Sequence, residues 1–267
     1  MSLIITGKTC IVTGAANGVG LAIARHFQDR GANVVFADID EARLEAELGA
    51  AARAEGPVRM FAGDLRKKLT ITNLLSATID AFGRVDVLVN ASRQMLTSNP
   101  LSPDEDAVEE MLQQNLMPAL RLTQMTAKRM IAQAEAAGEA PSGSIINLSS
   151  TAARQVQPEL LGFSIAAAAV EQMTRAMAVA LAPKGIRVNA IAFGSVMSAC
   201  LQYKLKDHPE WRQVIVDGTP LHRIAPPAEL VDAVQFLASD GAGFVTGQVL
   251  TVDGGRGLLD PVRVPAF

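Results

Sequence analysis

Residues 9–38 read TCIVTGAANGVGLAIARHFQDRGANVVFAD, and this stretch decides the fold. The apolar run from Cys10 to Val12 is typical of a buried strand, and apolar residues spaced three and four apart after Gly20 predict a helix. The run from Asn33 to Asp38 indicates a second strand. A strand, a glycine-rich turn, a helix and a second strand form the unit that binds dinucleotides.

Each glycine of the turn has a predicted mechanical role. Gly14 permits a tight turn, Gly18 lets the backbone approach a diphosphate, and Gly20 lets the helix pack close to the strand. The diphosphate then lies at the helix N-terminus, where backbone N–H groups lack partners. Asp38 is placed to accept hydrogen bonds from ribose hydroxyls. The alternative, a structural turn that binds no phosphate, is disfavoured because the flanking strands and the acid accompany the glycines.

The composition favours an α/β protein with a covered sheet. Hydrophobic residues make up 49% of the 267 residues and charged residues 19%, which suits a parallel sheet buried on both faces. The net charge is −3 without a basic run, so neither a nucleic acid nor an anionic membrane is an expected partner. Cys10 and Cys200 are the two cysteines, which favours a reducing compartment over a disulfide frame.

The sequence predicts neither a signal peptide nor a membrane-spanning segment. Residues 1–6 lack a basic region and an apolar core, so no signal peptide is predicted. We expect no uninterrupted apolar stretch of membrane-spanning length, and no metal site. The expected location is the cytoplasm.

Apolar runs and turn residues along the chain predict alternating strands and helices. The predicted strands cover residues 10–12, 33–38, 58–62, 85–90, 144–148, 187–192 and part of 244–255. The predicted helices after the first cover residues 41–55, 69–82, 104–137, 163–182 and 227–238.

The spacing TGxxxGxG at residues 13–20 resembles the short-chain dehydrogenase/reductase family, which includes hydroxysteroid dehydrogenases and 3-ketoacyl carrier-protein reductases. Residues 244–255, FVTGQVLTVDGG, are similar to the last strand of that family, and the resemblance spans about residues 6–255. It implies a single Rossmann-type α/β domain over residues 1–267. The implied architecture is a doubly wound, seven-stranded parallel sheet with helices on both faces, and a substrate lid at about residues 195–222.

The resemblance also implies a cofactor, NAD, and the residues that contact it. Asp64, at the end of the third strand, would bind the adenine amino group, or it would simply cap the next helix. Asp38 would repel the 2′-phosphate of NADP. The implied cofactor contacts are Gly14, Asn17, Gly18, Val19, Gly20, Asp38, Ile39, Asp64, Leu65, Asn90, Val196 and Ser198.

Near the expected nicotinamide the chain departs from the family pattern. Asn-Asn-Ala-Gly of the family is replaced by Asn90-Ala91-Ser92-Arg93. Asn90 can still tie the strand end to its neighbours, whereas Arg93 would either bind an anionic substrate or point into solvent. Phe193 stands where the family has proline, while Ser198 keeps the hydroxyl expected to meet the carboxamide.

The family's catalytic tetrad is half present. The resemblance implies an Asn, a Ser, a Tyr thirteen residues after the Ser, and a Lys four residues further. Asn115 and Ser150 match, but Phe163 and Ala167 occupy the Tyr and Lys positions. A tyrosine with a pKa of about 10 needs a nearby cation to work near neutral pH. Asn115 would hold a water in the proton relay, or it would stabilise a kink in its helix.

Two classes of function follow. One is an oxidoreductase of alcohols or ketones that is weak or relies on a relocated proton donor. The other is a pseudoenzyme, either an NAD-binding sensor or a structural subunit. The sequence leaves open whether the Phe and Ala pair is natural or deliberate. The candidate substitutes lie in the lid: Tyr203, Lys204, Lys206, His208 and His222. The alanine-rich helix at residues 163–182 further predicts a homotetramer.

Overall fold

The structure is a computed structural model that describes residues 3–49, 56–260 and 262. The strands are β1 (Thr9–Thr13), β2 (Asn33–Asp38), β3 (Val58–Ala62), β4 (Val87–Asn90), β5 (Gly143–Ser150), β6 (Ile186–Phe193) and β7 (Val249–Val252). The helices are α1 (Gly18–Asp29), α2 (Glu41–Leu48), α3 (Lys68–Phe82), α4 (Val108–Met111), α5 (Met117–Ala137), α6 (Leu161–Leu181), α7 (Ala199–Asp207), α8 (Trp211–Asp217) and α9 (Ala228–Ala238).

The seven strands form one parallel sheet in the order β3-β2-β1-β4-β5-β6-β7. Successive strand residues face opposite sides, so Cys10 and Val12 join one core layer while Ile11 joins the other. Helices α1 and α9 cover the first layer, and α3, α5 and α6 cover the second. This double burial explains the continuous apolar runs, and the predicted doubly wound sheet is confirmed.

The strand order reverses between β1 and β4, because the chain first builds outward through β2 and β3 and then returns. In such sheets a crevice opens at the carboxyl ends of the strands on either side of this point, and ligands bind there. Residues that follow the ends of β1, β4, β5 and β6 are therefore brought together although they lie far apart in the chain.

Two predicted helices have different bounds. The helix expected at 104–137 begins at Val108, after Ala107 in a left-handed conformation with φ of 55°. A π-helical turn at Leu112–Leu116 joins α4 to α5, so the predicted long helix begins later than expected and contains a π-helical turn. Helix α2 ends at Leu48, and the rest of the helix predicted to residue 55 falls in 50–55, outside the described residues.

Helix α6 with its flanking turns, Pro158–Lys184, is long and apolar enough to span a membrane by length and composition. The sequence was expected to hold no uninterrupted apolar stretch of that length, and Glu171 and Arg175 interrupt this one. A single helix of this kind does not by itself indicate a membrane span, since a core helix of a soluble protein has the same length and apolar composition. Here α6 packs on β5 and β6 and buries Phe163, Val170 and Ala178.

Candidate functional site

The glycine turn between β1 and α1 has the geometry that its spacing predicts. Gly14 has φ of +67°, and a Cβ there would lie 2.8 Å from Ser92 Cα. A Cβ on Gly20 would overlap the carbonyl group of Gly14, so the helix touches the strand end. A Cβ on Gly18 would meet nothing closer than Ser198 Cβ, 4.0 Å away. The turn is thus packed at Gly14 and Gly20 and leaves space at Gly18.

Helix α1 presents its first N–H groups at this turn. Leu21 N donates to the carbonyl oxygen of Asn17, the N-cap residue. The N–H groups of Gly18, Val19 and Gly20 precede this first intrahelical bond and so have no partner within the helix. The Asn17 side chain makes no capping hydrogen bond, and a phosphate oxygen is a suitable acceptor at such a helix end.

Asp38 closes the other side of the turn. Its Oδ2 accepts from Ala16 N (3.0 Å), and its Oδ1 accepts from Ile39 N (2.7 Å) and Asp40 N (3.1 Å). A carboxylate offers about four acceptor positions, so this half-buried group is fixed by three backbone donors and retains acceptor capacity. Asp38 therefore lies beside the glycine turn as the sequence requires.

The Asp64 side chain pairs with Arg66 and does not cap the helix that follows it. Its carboxylate receives two hydrogen bonds of 2.8 Å from the Arg66 guanidinium, which hold the pKa of Asp64 below its usual range. Lys67 occupies the N-cap position of α3, without a side-chain capping hydrogen bond, so the N-cap alternative for Asp64 is wrong. Leu65 is buried in the core layer beneath.

A buried polar chain lies under the ends of β4 and β5. Asn90 Nδ2 donates to Asn147 Oδ1 (2.8 Å) and to Thr123 Oγ1 (3.1 Å). Asn147 Nδ2 in turn donates to Thr174 Oγ1 on α6 (2.9 Å). All four residues are buried, so these bonds are formed in a low-dielectric surrounding. Asn90 thus ties its strand to its neighbours.

Asn115 lies in the π-helical turn and pairs with the backbone of Gln94. Asn115 Oδ1 accepts from Gln94 N (2.7 Å), and Asn115 Nδ2 donates to Gln94 O (2.9 Å). Both ends of the amide are therefore engaged in fixing the segment that follows β4. This geometry supports the kink-stabilising alternative for the side chain, and π-helical turns are frequent at functional sites.

Ser150, Phe163 and Ala167 come together at the end of β5 and the start of α6. They border a cavity of about 20 Å³, whose lining residues also include Asn115 and Arg93. Ser150 Oγ accepts from Ala152 N (3.2 Å) at the end of β5. Phe163 and Ala167 lie one turn apart on α6 and are both buried.

Arg93 lies at this cavity as well. Its guanidinium carbon is 4.1 Å from the ring centre of Phe193 and 5.7 Å from that of Phe163. Its Nη1 donates to the carbonyl oxygen of Ser149 (3.2 Å). Neither sequence alternative describes this arrangement fully: the residue is exposed overall, yet the guanidinium packs over the site.

The lid residues divide into two groups. Val196 is buried and bridges to Ala225, and Ser198 caps α7 through a hydrogen bond from Leu201 N (3.3 Å). Tyr203 is 68% exposed on α7, and it is not among the residues that line the small cavity. His208 stacks on Trp211 with ring centres 4.2 Å apart. The sequence candidates for a relocated proton donor are thus not brought to the cavity.

Known proteins match nearly the whole chain. A family model described as enoyl-(acyl carrier protein) reductase matches residues 14–256. The 3-oxoacyl-(acyl-carrier-protein) reductase FabG of Thermotoga maritima is 33% identical over 252 residues, with 93% of this chain and 97% of the relative covered. This chain is a member of the short-chain dehydrogenase/reductase family.

Solved structures of family members have the same fold. The 3-ketoacyl-(acyl-carrier-protein) reductase of Brucella melitensis, complexed with NADH, has a TM-score of 0.83 and 29% identity, covering 95% of this chain and 99% of its own. A gluconate 5-dehydrogenase of Burkholderia cenocepacia J2315, in complex with NADP and tartrate, has a TM-score of 0.85 and 25% identity, covering 97% and 98%. The short-chain dehydrogenases bind nicotinamide cofactors, and these two hold different ones.

A second group of polar residues at the site was not found from the sequence. Glu171, buried one turn beyond Ala167, contacts Arg154 at 3.1 Å and Arg175 at 3.4 Å. Its Oε1 also accepts from Ser149 Oγ (3.5 Å). The spacing of four residues after Ala167 was a usable signal, because it places Glu171 on the same helix face.

Proposed function

We propose that this member of the short-chain dehydrogenase/reductase family binds NAD(H) and that the family reaction is weak or lost. That reaction is hydride transfer between a secondary alcohol or ketone and nicotinamide. A bound nicotinamide would accept or supply the hydride, while the protein must take up or release the hydroxyl proton. The two halves of the proposal rest on different parts of the site.

The part of the site formed by the glycine turn and Asp38 fits the adenosine diphosphate half of a dinucleotide. Added Cβ atoms would fill the turn at Gly14 and Gly20, while the space at Gly18 stays open. The α1 N–H groups would hold the diphosphate, and Asp38 would hold the ribose. A 2′-phosphate would place like charge beside Asp38, which supports NAD over NADP.

The observation that carries the second half is the lining of the small cavity. Among the described residues that border it there is no Tyr, His, Lys, Cys, Asp or Glu: they are Asn90, Ser92, Arg93, Asn115, Ala119, Asn147, Leu148, Ser149, Ser150, Phe163, Ala167 and Val170. Serine, amide and guanidinium groups do not change their protonation state near neutral pH, so they are poor general acids and bases. General acid–base catalysis, worth roughly 10²–10⁴-fold in such reactions, is thus missing at this position.

The second candidate function, an NAD-binding sensor or structural subunit, is favoured by the same lining together with exposed apolar side chains on α6. Ile165, Ala168, Ala176 and Val179 are exposed on that helix beside Gln172 and Arg175, whereas Ala166 and Ala167 are buried. Small and apolar side chains permit close approach of a second copy, and we extend the proposal to a cytoplasmic homotetramer.

One pair of measurements separates the candidates. Calorimetry with NAD⁺ and NADH tests binding, and NADH absorbance with a panel of secondary alcohols and ketones tests turnover. Turnover supports the weak oxidoreductase. Binding without turnover, with an active relative co-purifying, supports the sensor or structural subunit. Absence of binding to either nucleotide contradicts both.

A further inference from the structure

Arg93 extends from a backbone segment that is held on both sides. On one side the N–H of Ser92 donates to Thr13 Oγ1 (3.0 Å), and Ser92 abuts the backbone of Gly14. On the other side Gln94 exchanges two hydrogen bonds with the Asn115 side chain. The point from which the Arg93 side chain leaves the backbone is therefore fixed beside the glycine turn.

Three contacts on two strands and a helix then hold the guanidinium. It lies 4.1 Å from the Phe193 ring centre at the end of β6, 5.7 Å from that of Phe163 on α6, and 3.2 Å from Ser149 O on β5. Both rings are almost fully buried. A guanidinium over an aromatic face within about 6 Å is attracted to it, so the contacts favour this inward position.

The fold fixes where the nicotinamide half of a dinucleotide would go. Asp38 on β2 and the start of α1 take the adenosine diphosphate half, on the β1-β2-β3 side of the strand reversal. A dinucleotide lies across the crevice at this reversal, so its other half extends over the ends of β4, β5 and β6. Those strands end at Asn90, Ser150 and Phe193, where the Arg93 guanidinium lies.

The room left beside the Arg93 guanidinium, between the ends of β4 and β5 and helix α6, does not fit a nicotinamide. The cavity bounded by Arg93, Ser150, Phe163 and Ala167 measures about 20 Å³, and a cavity of that size holds about one water molecule. A pyridine ring with its carboxamide has nine heavy atoms and needs several times that volume. The adenosine end of the site therefore fits the family cofactor, and the nicotinamide end does not.

We propose that the Arg93 side chain fills the nicotinamide half of the cofactor site, so that the protein recognises the adenosine diphosphate moiety alone. This inference rests on the proposed dinucleotide binding and deepens it. The ligand class becomes adenosine diphosphates that carry any group on the terminal phosphate. ADP-ribose and NAD(H) present the same recognised part, and the nicotinamide ring of bound NADH stays outside the catalytic centre.

Calorimetry with NAD⁺, NADH and ADP-ribose tests this directly, together with the fluorescence of bound NADH. For the unaltered protein we expect the three affinities to agree within about threefold, and the NADH emission to resemble that in water. Arg93→Gly, which restores the family residue, should tighten NADH by about tenfold or more relative to ADP-ribose, the worth of one or two hydrogen bonds. Its bound NADH should show the brighter, blue-shifted emission of a buried ring.

One further variant separates the effect of the Arg93 side-chain volume from the effect of its charge, and another serves as the control. Arg93→Met loses the charge and the bond to Ser149 O but keeps a long side chain that packs on aromatic rings, so we expect it still to fill the site and to bind NAD⁺ and NADH like the unaltered protein. Tightening of NAD⁺ alone in Arg93→Met would mean that repulsion of the nicotinamide cation, not filling, sets the affinity, and it would overturn the inference. The matched control is Arg84→Gly, because Arg84 precedes β4 at the opposite end and pairs with Asp86 (2.7 Å); it should change nothing.

Two other outcomes would contradict the inference, and one of them would also contradict the proposed function. If the unaltered protein binds NADH about tenfold tighter than ADP-ribose and shows buried-ring emission, the inference is wrong while the proposed NAD binding stands. If neither NADH nor ADP-ribose binds, the proposed function fails and this inference fails with it. Circular dichroism of each variant establishes that the fold is retained.

Discussion

The Arg93 guanidinium lies 4.1 Å from the ring centre of Phe193. These residues are two of the departures from the family pattern, and a third, Phe163, faces the same guanidinium. A proline at 193 would offer no aromatic face, and a glycine at 93 would offer no cation. The side chains at these three positions therefore pack against one another, so the three departures from the family pattern are structurally linked.

The preference for NAD⁺ over NADP⁺ should depend on the negative charge of Asp38. We expect NAD⁺ to bind at least about tenfold tighter than NADP⁺, because a like-charge pair near a protein surface costs on the order of a few kcal/mol. Asp38→Ser should narrow this gap, measured by calorimetry at low salt, where screening is weakest. Asp40→Ser is the matched control, since serine still caps α2. Equal affinity of the unaltered protein for the two dinucleotides would contradict the prediction.

Restoring the proton relay should restore hydride transfer once Arg93 is removed. In an Arg93→Gly background, Phe163→Tyr alone should give a rate that rises towards pH 10, because a tyrosine without a nearby cation keeps a pKa of about 10. Adding Ala167→Lys favours the phenolate and should shift this rise to lower pH. The combined gain should exceed the separate effects, by roughly 10²–10⁴-fold over the starting background.

NADH absorbance with hydroxysteroids, 3-hydroxyacyl thioesters and cyclic alcohols measures this rescue. The matched control replaces Ala167→Lys with Ala168→Lys, which puts the ammonium on the exposed face of α6 and should not shift the pH profile. If the triple variant buries the ring of NADH yet turns over no substrate, the pocket differs in more than the tetrad. The sensor or structural function is then the better proposal.

Assembly should depend on the exposed face of α6. Val179 is 78% exposed on this helix, and Val179→Glu should lower the solution mass from that of a tetramer because a charge would be buried in the contact. Light scattering at micromolar concentration measures the change. Leu69→Glu on α3, where the leucine is 71% exposed, is the control and should leave the mass unchanged. A monomeric mass for the unaltered protein would refute the proposal.

The close contact of α1 with β1 should make Gly20 the least replaceable glycine of the turn. Gly20→Ala forces a methyl into the Gly14 carbonyl, and we expect a loss of about 1–3 kcal/mol in the free energy of unfolding, as for other overpacked sites. Urea denaturation measures it. Gly56→Ala, where no atom lies within 4 Å, is the control and should stay within about 0.5 kcal/mol. A similar stability for both variants would mean that the helix shifts freely away from the strand.

The sequence by itself determined the fold class, the succession of strand, glycine turn, helix and strand in the first unit, and the contents of the tetrad positions. These features depend on local periodicity and fixed spacing: apolar runs give strands, Gly14 and Gly20 give a close turn, and counting from Ser150 reaches Phe163 and Ala167. Such patterns persist along the chain whatever the neighbours are. The helix expected at 104–137 shows the limit, since the π-helical turn around Asn115 leaves no periodic signal.

Only the tertiary structure decided what the altered residues do together. Arg93 and Phe193 lie 100 positions apart in the chain, and they meet because parallel strands bring their carboxyl ends to one edge of the sheet. The register of β4 and β5 joins Asn90 to Asn147, and the packing of α6 beside β5 places Glu171 against Arg154. Side-chain direction across neighbouring strands depends on packing that no local pattern records. For that reason Arg93 was ambiguous in the sequence, and its position over the Phe163 and Phe193 rings became evident only in the folded chain.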